Sequence, residues 1–330
     1  MRTIPFTFRT MEELEVGPKW QTYFEDLWPT YRQWFLQEGE AARPSYATAV
    51  RMLRAHMPEL MPVYEQLVDL AGGGDLAARM LAMYKPPPYL AGCSQGAWAR
   101  SAPMLVRNYD YAPSRLDGLI FHSCMMGARV IGMTDGGWGL LDGMNEAGLA
   151  VSLTFGGRRV LGDGFGIPLV VRYLLELCET VEECRSVLSR IPYNLAHNLT
   201  MVDRHGGLLT AYLSPDREPI FRAFPVATNH QGLVEWPEQA KASRTVEREA
   251  FVLGLLEDPG VTPEAFAASF LHPPLFSTAY QNGWGTLYTA AYRPTEGRVH
   301  YLWPTFAWPQ SFSAFVEGTH TEQLAEGWVA

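Results

Sequence analysis

The sequence predicts an α+β fold in which a helical N-terminal leader precedes a larger unit whose strands and helices are segregated along the chain. Two observations predict it. Up to Tyr84, apolar residues recur at helical spacings, whereas beyond residue 92 short strand-like runs alternate with glycine-rich turns. With 330 residues, 47% of them hydrophobic, the chain can bury one large core or two smaller ones. We therefore divide it into a leader, 1–92, and a second unit, 93–330.

The leader is predicted to be helical along its whole length. Its first helix spans the run KWQTYFEDLWPTYRQWF, where Trp20, Phe24 and Tyr31 lie on one apolar face. Three more helices are predicted for the runs SYATAVRMLRAHM, PVYEQLVDLAG and DLAARMLAMY. Asp75 follows three glycines and is a candidate N-cap for the last of them. The prolines at 86–88 then forbid further helix and predict an extended segment.

Beyond residue 92 the pattern predicts antiparallel strands joined by tight turns, with helices between two sets of strands. The first strands are APMLVRNYDY, ARVIGMT, WGLLDGMNE and GLAVSLTF, and the later ones are NLTMVD, LLTAYLS, GTLYTAAYRP and RVHYLW. Turns are predicted at 135–137, 204–206 and 295–297, each of which contains glycine. Two helices, IPLVVRYLLELC and VEECRSVLSRI, separate the two sets. Such segregation is typical of an α+β protein.

The charge pattern disfavours two classes of macromolecular partner. The formal net charge is −9 and no run is rich in lysine or arginine, so neither nucleic acid nor an anionic membrane surface is expected as a partner. A small molecule fits this composition better. No apolar run reaches the length of a membrane span, and the run MRTIPFTFRTMEELE carries acidic side chains where a secretory signal would be apolar. We therefore predict a cytoplasmic protein.

Cysteine and histidine spacings predict neither a metal site nor a disulfide framework. The four cysteines are Cys93, Cys124, Cys178 and Cys184. They form no CxxC pair, and their spacing relative to the eight histidines matches no common zinc pattern. No metal and no other cofactor is expected.

One cysteine stands apart because of the residues around it. Cys93 follows Gly92 at the junction between the leader and the strand-rich unit, and the run RNYD comes soon after, at 107–110. Farther along, the run ATN ends at Asn229. These residues offer a thiol, a cation, a carboxylate and an amide donor. Acyl transfer needs such a set: a nucleophile, a group that lowers its pKa, a group that orients the base, and donors for the oxyanion.

The order of these motifs resembles the N-terminal nucleophile hydrolases of the choloylglycine hydrolase and penicillin acyltransferase type. The matching runs are the cysteine after a glycine, RNYD at 107–110, DGMNEAGLAVSLTF from 142, VATN ending at 229, ASRTVEREAF around 244, and TLYTAAY near the end. The resemblance covers most of residues 90–310 and implies a four-layer αββα sandwich. The long leader is similar to that of the acyltransferase branch, whose precursor cuts itself. Self-cleavage between Gly92 and Cys93 is thereby implied.

The resemblance also implies a role for each central residue. Cys93 would be the nucleophile, and its α-amino group, freed by cleavage, would be the base. The reference pKa of such an amino group, about 7.7 to 8.0, suits that task at neutral pH. Arg107 would lie beside the sulfur and favour the thiolate, Asp110 would hold the amino group, and Asn229 would donate to the oxyanion. Without the resemblance, Arg107 and Asp110 could instead form a surface ion pair.

Three further residues are candidate oxyanion or substrate contacts by the same resemblance, namely Thr154, Asn145 and Arg244. Thr154 could act through its hydroxyl or through its backbone N–H. Asn145 lies in GMNEAG, where a simple turn between two strands is the favoured alternative. Arg244 matches an arginine of the bile-salt hydrolase branch, but Arg248 is near enough in sequence to be the residue meant.

The sequence therefore predicts an enzyme that works through an acyl-cysteine, and it leaves alternatives open. The enzyme could hydrolyse linear amides, or it could be an acyl-CoA-dependent N-acyltransferase, in which an amine outcompetes water for the acyl group. From another class, the chain could be an unprocessed binding protein that keeps the fold without the activity. Expected partners are a small-molecule amide or acyl donor and the cleaved leader, retained through its apolar face. No oligomeric state is predicted.

Overall fold

Two β-sheets pack face to face in the computed structural model, which describes residues 3–100, 102–282 and 284–325. The strands are β1 (Thr3–Glu12), β2 (Gly92–Trp98), β3 (Met104–Tyr111), β4 (Leu119–Ser123), β5 (Val130–Asp135), β6 (Gly139–Asn145), β7 (Leu149–Phe155), β8 (His197–Asp203), β9 (Leu208–Ser214), β10 (Arg217–Arg222), β11 (Val226–Ala227), β12 (Gly285–Arg293), β13 (Arg298–Trp303), β14 (Phe306–Ser311) and β15 (Gly318–Ala325). The helices are α1 (Pro18–Phe35), α2 (Tyr46–His56), α3 (Met61–Leu70), α4 (Asp75–Leu81), α5 (Ile167–Leu177), α6 (Val181–Leu188), α7 (Pro237–Ser243), α8 (Thr245–Glu257) and α9 (Pro263–Ser269).

The two sheets differ in size and in strand order. Over the described ranges, the larger sheet has nine strands in the order β10-β9-β8-β7-β6-β5-β4-β1-β15, and the smaller has six in the order β11-β2-β3-β12-β13-β14. Strands β1 and β4 are parallel, and the hairpins of consecutive strands are antiparallel. The predicted turns at 135–137, 204–206 and 295–297 fall in the β5–β6, β8–β9 and β12–β13 connections, which confirms those hairpins.

Helices cover the outer face of each sheet. Helix α5 packs against β5, β6 and β7, and α6 packs against β8 and β9 of the larger sheet. Helix α8 lies on β2 and β11 of the smaller sheet. Between the sheets, β2 and β3 contact β7 and β8. The layers are therefore helix, sheet, sheet and helix, and the predicted αββα sandwich is confirmed.

A glycine in β2 lets the outer helices lie close to the smaller sheet. Phe266 of α9 and Val252 of α8 join Val106 of β3 in a second apolar cluster on this side. A Cβ at Gly96 would lie 2.7 Å from Phe266 Cζ and 2.9 Å from Val252 Cγ1. Any larger side chain would therefore push these helices away from the strand that carries Cys93.

The prediction that the leader is helical throughout is wrong for its first residues. Thr3–Glu12 form β1, which pairs antiparallel with β15 from Thr3 opposite Ala325 to Thr10 opposite Gly318. Within TIPFTFRTME, apolar side chains alternate with exposed ones, as a half-buried strand requires. The partners β15 and β4 are remote in sequence, so helical periodicity in the rest of the leader gave no sign of them. The leader and the second unit consequently share one sheet.

The four predicted leader helices are confirmed. Two indole N–H hydrogen bonds, one in each direction, join these helices to the second unit. Trp20 of α1 donates its indole N–H to the carbonyl oxygen of Gly137 at 2.8 Å. In return, Trp138 donates its indole N–H to the carbonyl oxygen of Leu81, at the end of α4, also at 2.8 Å. Both indoles are fully buried, so these contacts anchor the leader at the turn between β5 and β6.

The predicted N-cap of α4 is displaced by one residue. Gly74 occupies the cap position with extended backbone angles, and Asp75 is the first helical residue. The Asp75 carboxylate instead accepts a hydrogen bond from Arg79 Nη1 at 3.1 Å, one helical turn later. A negative charge in the first turn still favours the helix dipole, which is why aspartate suits this position.

Candidate active site

Cys93 is fully buried on β2, between the two sheets. In the antiparallel ladder of β2 and β3, Cys93 lies opposite Tyr109 and Gly92 lies opposite Asp110. Because side chains alternate along a strand, Arg107 and Tyr109 share the inner face with Cys93, whereas Asp110 points toward the outer helices. The RNYD run thus delivers its cation and its carboxylate to opposite sides of the Cys93 backbone.

Arg107 contacts the thiol directly. Its Nη2 lies 3.2 Å from Cys93 Sγ and donates to the carbonyl oxygen of Leu153 at 2.9 Å. Its Nη1 donates to Asp142 Oδ2 at 2.6 Å and to the Tyr288 hydroxyl at 2.8 Å. The guanidinium is completely buried, so the alternative of a surface ion pair between Arg107 and Asp110 is wrong.

Asp142 is the carboxylate that balances Arg107, and the sequence analysis did not identify it. Its side chain is completely buried, and it also accepts hydrogen bonds from the Tyr288 hydroxyl at 2.5 Å and from the Tyr292 hydroxyl. A signal was present, since Asp142 is the one charged residue in the otherwise uncharged β6 run GLLDGMN. A buried charge needs a partner of opposite sign, so a buried aspartate in β6 predicts a cationic partner, for which Arg107 is a candidate.

Burial and the Arg107 charge have opposite effects on the pKa of the Cys93 thiol. Burial raises the pKa of the Cys93 thiol to about 11, while Arg107 lowers it and the Asp110 charge raises it further. The Arg107 charge therefore acts in the expected direction, but desolvation of the thiolate outweighs it.

Asn229 and Arg248 hold the backbone on the other side of Cys93. Asn229 Oδ1 accepts from the backbone N–H of Cys93 at 3.2 Å, and its Nδ2 donates to the carbonyl oxygens of Ala91, at 3.3 Å, and Phe155, at 3.1 Å. Arg248 Nη1 donates to the Cys93 carbonyl oxygen at 2.6 Å. Both side chains are buried, and together they grip the chain on either side of the Gly92–Cys93 bond.

Asp110 lies next to the Gly92–Cys93 bond on its outer side. Its Oδ1 accepts from the Thr286 hydroxyl at 2.7 Å, and its Oδ2 lies 3.6 Å from Arg248 Nη1. Burial raises the pKa of the Asp110 carboxyl, and Arg248 and Thr286 oppose that shift. The position opposite Gly92 in the ladder brings this carboxyl close to the nitrogen that cleavage would release.

Two of the three secondary candidates are occupied elsewhere. The Thr154 hydroxyl donates to the carbonyl oxygen of Thr228 at 2.9 Å, next to Asn229, so it braces that segment. Asn145 Nδ2 donates to the carbonyl oxygens of Leu175, at 3.0 Å, and Cys178, at 2.7 Å, and its Oδ1 accepts from Leu149 N–H at 2.9 Å. Asn145 therefore ties the β6–β7 turn to the end of α5, which agrees with the favoured turn interpretation.

Of the two arginines near the start of α8, Arg248 reaches Cys93. Arg244 has a left-handed backbone, with φ of 52°, and its half-exposed side chain donates from Nε to Glu247 at 2.7 Å. One helical turn later, Arg248 points inward to Cys93 and Asn229. A spacing of four residues would place both arginines on one face of a regular helix, so the backbone break at Arg244 is what separates them.

A cavity of about 490 Å³ opens beside the Gly92–Cys93 bond. Its lining includes Gly92, Asp110, Arg244, Arg248 and Trp284. Arg244 thus lies at the cavity wall, although its side chain pairs with Glu247 and not with Cys93. The arrangement brings together a thiol, a buried cation, an amide donor and a carboxylate beside an open space, a set that acyl transfer through a thioester requires.

The αββα fold and this cluster of residues place the chain in the class of proteins with the N-terminal nucleophile hydrolase fold. The family model described as acyl-coenzyme A:6-aminopenicillanic acid acyl-transferase matches residues 98–308. Since that match covers more than half of the chain, the chain belongs to this family. No curated protein sequence matches it significantly.

Solved structures of low sequence identity are similar to this chain, and the first of the three that follow shares its fold. Penicillin V acylase from Agrobacterium tumefaciens is 15% identical, with a TM-score of 0.51 over 67% of this chain and 86% of that chain. A conjugated bile acid hydrolase variant from Clostridium perfringens is 13% identical, with a TM-score of 0.44 over 72% and 100% of the two chains. The N-acylethanolamine-hydrolyzing acid amidase ortholog from Caenorhabditis elegans is 15% identical, with a TM-score of 0.44 over 62% and 93%.

Two properties of the described residues bear on partners. No helix in this part of the chain is long and apolar enough to cross a membrane. Nor do three or more His, Cys, Asp or Glu side chains gather there into a group that could hold a metal ion.

Proposed function

We propose that this chain is a self-cleaving enzyme that uses Cys93 to break linear amide bonds and to transfer the acyl group. The observation that carries the proposal is the contact of 3.2 Å between Cys93 Sγ and the buried Arg107 guanidinium, at a residue preceded by glycine. The hydrogen bond from the Cys93 N–H to Asn229 Oδ1 supports the proposal, because that nitrogen is the leaving group in cleavage and the base in turnover.

Cleavage begins when the Cys93 thiol attacks the carbonyl carbon of Gly92. The carbon–sulfur bond forms and the carbon–nitrogen bond breaks, and the thiol proton ends on the released nitrogen. Water then hydrolyses the thioester, which restores the thiol and leaves Gly92 with a carboxyl group. The absence of a side chain at Gly92 favours this step, since its position faces the Asp110 and Trp284 side chains closely.

In turnover, the freed α-amino group of Cys93 takes the thiol proton as the sulfur attacks a substrate amide. The amine product leaves with that proton, and the acyl group remains on sulfur as a thioester. Asn229 Nδ2 stabilises the oxyanion, and one such donor contributes roughly 2.7 to 4 kcal/mol. Arg107 stabilises the thiolate, and Asp110, with its partner Arg248, holds the amino group.

The acyl group then passes to water or to an amine. The family name specifies an acyl-coenzyme A donor and an amine acceptor, whereas the name penicillin V acylase denotes removal of an acyl group. We propose that both outcomes use the same acyl-Cys93 and that amine concentration decides between them. Product analysis of one amide substrate, with and without a primary amine, distinguishes hydrolysis from transfer.

Intact-mass and N-terminal analysis of the purified protein tests the core of the proposal. The expected result is two chains that meet at Gly92 and Cys93. Cys93→Ala should remain one chain and lack turnover, whereas Cys124→Ala, at a partly exposed cysteine outside the cluster, should be cut and active. Full activity in the Cys93→Ala protein would refute the mechanism.

An unprocessed binding protein is the second candidate, and one observation favours it. The Cys93 thiol is fully buried and its pKa is raised to about 11, both of which slow attack by sulfur. This function predicts a single chain that stays uncut during prolonged incubation at pH 8 to 9. Appearance of the Cys93 N-terminus under those conditions would exclude it.

A further inference from the structure

A second cavity lies where leader helix α1 faces the strands of the second unit. Its volume is about 500 Å³, and the leader contributes Leu27, Tyr31, Trp34 and Tyr89 to its wall. Tyr109 of β3 also lines it. The cavity wall is therefore rich in aromatic side chains and depends on the leader remaining packed on the sheet.

Two carboxylates lie together in this cavity. The Tyr31 hydroxyl is 2.5 Å from Asp117 Oδ1 and 3.3 Å from Asp135 Oδ1, so the two side chains share one donor. The Tyr23 hydroxyl also donates to Asp117, at 2.8 Å. Both aspartates line the cavity and are partly exposed. They are acidic groups that a ligand in the cavity can reach.

Within the described part of the chain, this carboxyl pair has no close counter-ion. Across residues 3–100, 102–282 and 284–325, no Lys, Arg or His nitrogen lies within 4.0 Å of either carboxylate. Arg115 lines the same cavity, but its Nη1 donates to the Tyr111 hydroxyl at 3.3 Å. Burial raises the pKa of Asp117 to about 6, and burial followed by the Asp117 charge raises the pKa of Asp135. A cation in the cavity would relieve this unfavourable arrangement.

An independent observation also points to a ligand. The Tyr89 hydroxyl is buried and finds no hydrogen-bond partner among the described residues, although it borders the cavity. A buried hydroxyl without a partner is costly and calls for an explanation. Burial raises the pKa of Tyr89, and the charge of Asp135, which lines the same cavity, raises it further.

One residue of the cavity wall is a neighbour of Cys93. Tyr109 lines the cavity and lies directly opposite Cys93 in the β2–β3 ladder. Burial raises the pKa of Tyr109, and the Asp135 and Cys93 charges raise it further. The cavity therefore adjoins the strand position of the proposed nucleophile.

We propose that this cavity binds an alkylammonium group of the substrate, with Asp117 and Asp135 as its counter-ions, the Tyr89 hydroxyl oxygen as an acceptor for its N–H, and Trp34 against its hydrocarbon part. Carboxylates and aromatic faces together recognise an organic ammonium ion, whereas a bare metal ion would require more oxygen ligands. The inference deepens the proposed function by naming a substrate class. The binding itself does not require a reactive cysteine.

Calorimetric titration of the full-length Cys93→Ala protein tests the binding without any chemistry. The probes are benzylammonium, benzyl alcohol and benzoate, which share one ring and differ in charge. We expect benzylammonium to bind about ten-fold or more tightly than benzyl alcohol, as hydrogen bonds to charged groups predict, and benzoate to bind least. Equal affinity for all three probes would overturn the proposal.

Variants locate the site. Asp135→Asn should weaken benzylammonium binding by about ten-fold and leave benzyl alcohol unchanged, whereas Asp26→Asn, at an exposed position of α1, should change neither. Tyr89→Phe removes only the unpartnered hydroxyl, so it should weaken benzylammonium binding without lowering the melting temperature. This second variant decides the matter if Asp135→Asn fails to fold. Unchanged benzylammonium affinity in Tyr89→Phe and in every folded Asp135 variant would refute the site.

A turnover experiment separates this proposal from the one on which it rests. Matched amides that carry an ammonium, a neutral or a carboxylate end group are offered to the wild-type protein. Preference for the ammonium substrate supports both proposals. Absence of all turnover with intact benzylammonium binding would refute the enzyme and keep the site, whereas turnover without preference for ammonium would refute the site alone.

Discussion

Arg248 Nη2 donates to Asn229 Oδ1 at 2.6 Å, which fixes the direction of the Asn229 amide. Because the oxygen is held by Arg248 and by the Cys93 backbone N–H, the Nδ2 end must point away from them. That end donates to the carbonyl oxygen of Ala91, one residue before Gly92. If the chain is cut after Gly92 as proposed, departure of this segment would leave the donor free for a substrate carbonyl.

Asn229→Asp tests the donor separately from the orientation. Aspartate keeps an oxygen for the Cys93 nitrogen and for Arg248 but lacks the N–H donor. We expect kcat to fall about 100- to 1,000-fold with little change in KM, because the lost interaction forms in the transition state. Steady-state kinetics on the cleaved protein measure this. A change in KM alone would mean that Asn229 binds substrate without stabilising the oxyanion.

The buried pair of Arg107 and Asp142 should be far more costly to break than to replace. Arg107→Met leaves an unpaired carboxylate and is expected to lower the free energy of unfolding by about 3 to 5 kcal/mol. The double variant Arg107→Met with Asp142→Leu should recover much of that loss. Urea denaturation in the Cys93→Ala background measures both values. A strictly additive double variant would show that the ion pair carries no coupling.

Gly92→Ala should slow self-cleavage through crowding rather than through unfolding. A Cβ at this position would lie 3.1 Å from Asp110 Cβ and 3.3 Å from Trp284 Cε3, so these side chains or the Gly92 backbone must give by a few tenths of an ångström. Because a displacement near 1 Å costs about 100-fold in rate, this smaller shift should slow cleavage by a smaller factor. Gly254→Ala, on α8 with no atom within 4 Å of the added Cβ, is the control. The fraction of cut chain over time, measured by mass spectrometry, compares the two variants.

The leader should remain bound after cleavage. Strand β1 lies between β4 and β15 of the larger sheet, and Trp20 is fully buried against the second unit. Both chains are therefore expected to co-elute in size-exclusion chromatography. Trp20→Ala should lower the free energy of unfolding by about 3 to 5 kcal/mol, whereas Tyr46→Ala, at a half-exposed leader position, should have a small effect. Release of the wild-type leader in buffer would contradict this prediction.

The sequence predicted local structure well and long-range pairing poorly, for a physical reason. Helical periodicity is visible within one segment, which is why α1 to α6 could be located. Strand β1 pairs with β15 at the far end of the chain, and no local sequence pattern indicates that partner. The site shows the same division. Motif order brought out Cys93, Arg107 and Asn229, whereas Asp142 became evident only when the sheets placed it beside Arg107.

Acid sensitivity should be traceable to His197. Burial lowers the pKa of this imidazole to about 4, whereas in the unfolded chain it is about 6.5. Between these values the unfolded state binds the extra proton, so the free energy of unfolding should fall by about 1.4 kcal/mol per pH unit on acidification from pH 6.5. His197→Gln should remove that share of the slope, and His205→Gln, at an exposed turn position, should keep it. Urea denaturation of the Cys93→Ala protein at pH 7.0, 5.5 and 4.5 measures the slopes, and equal slopes in the two variants would show that another group governs the acid response.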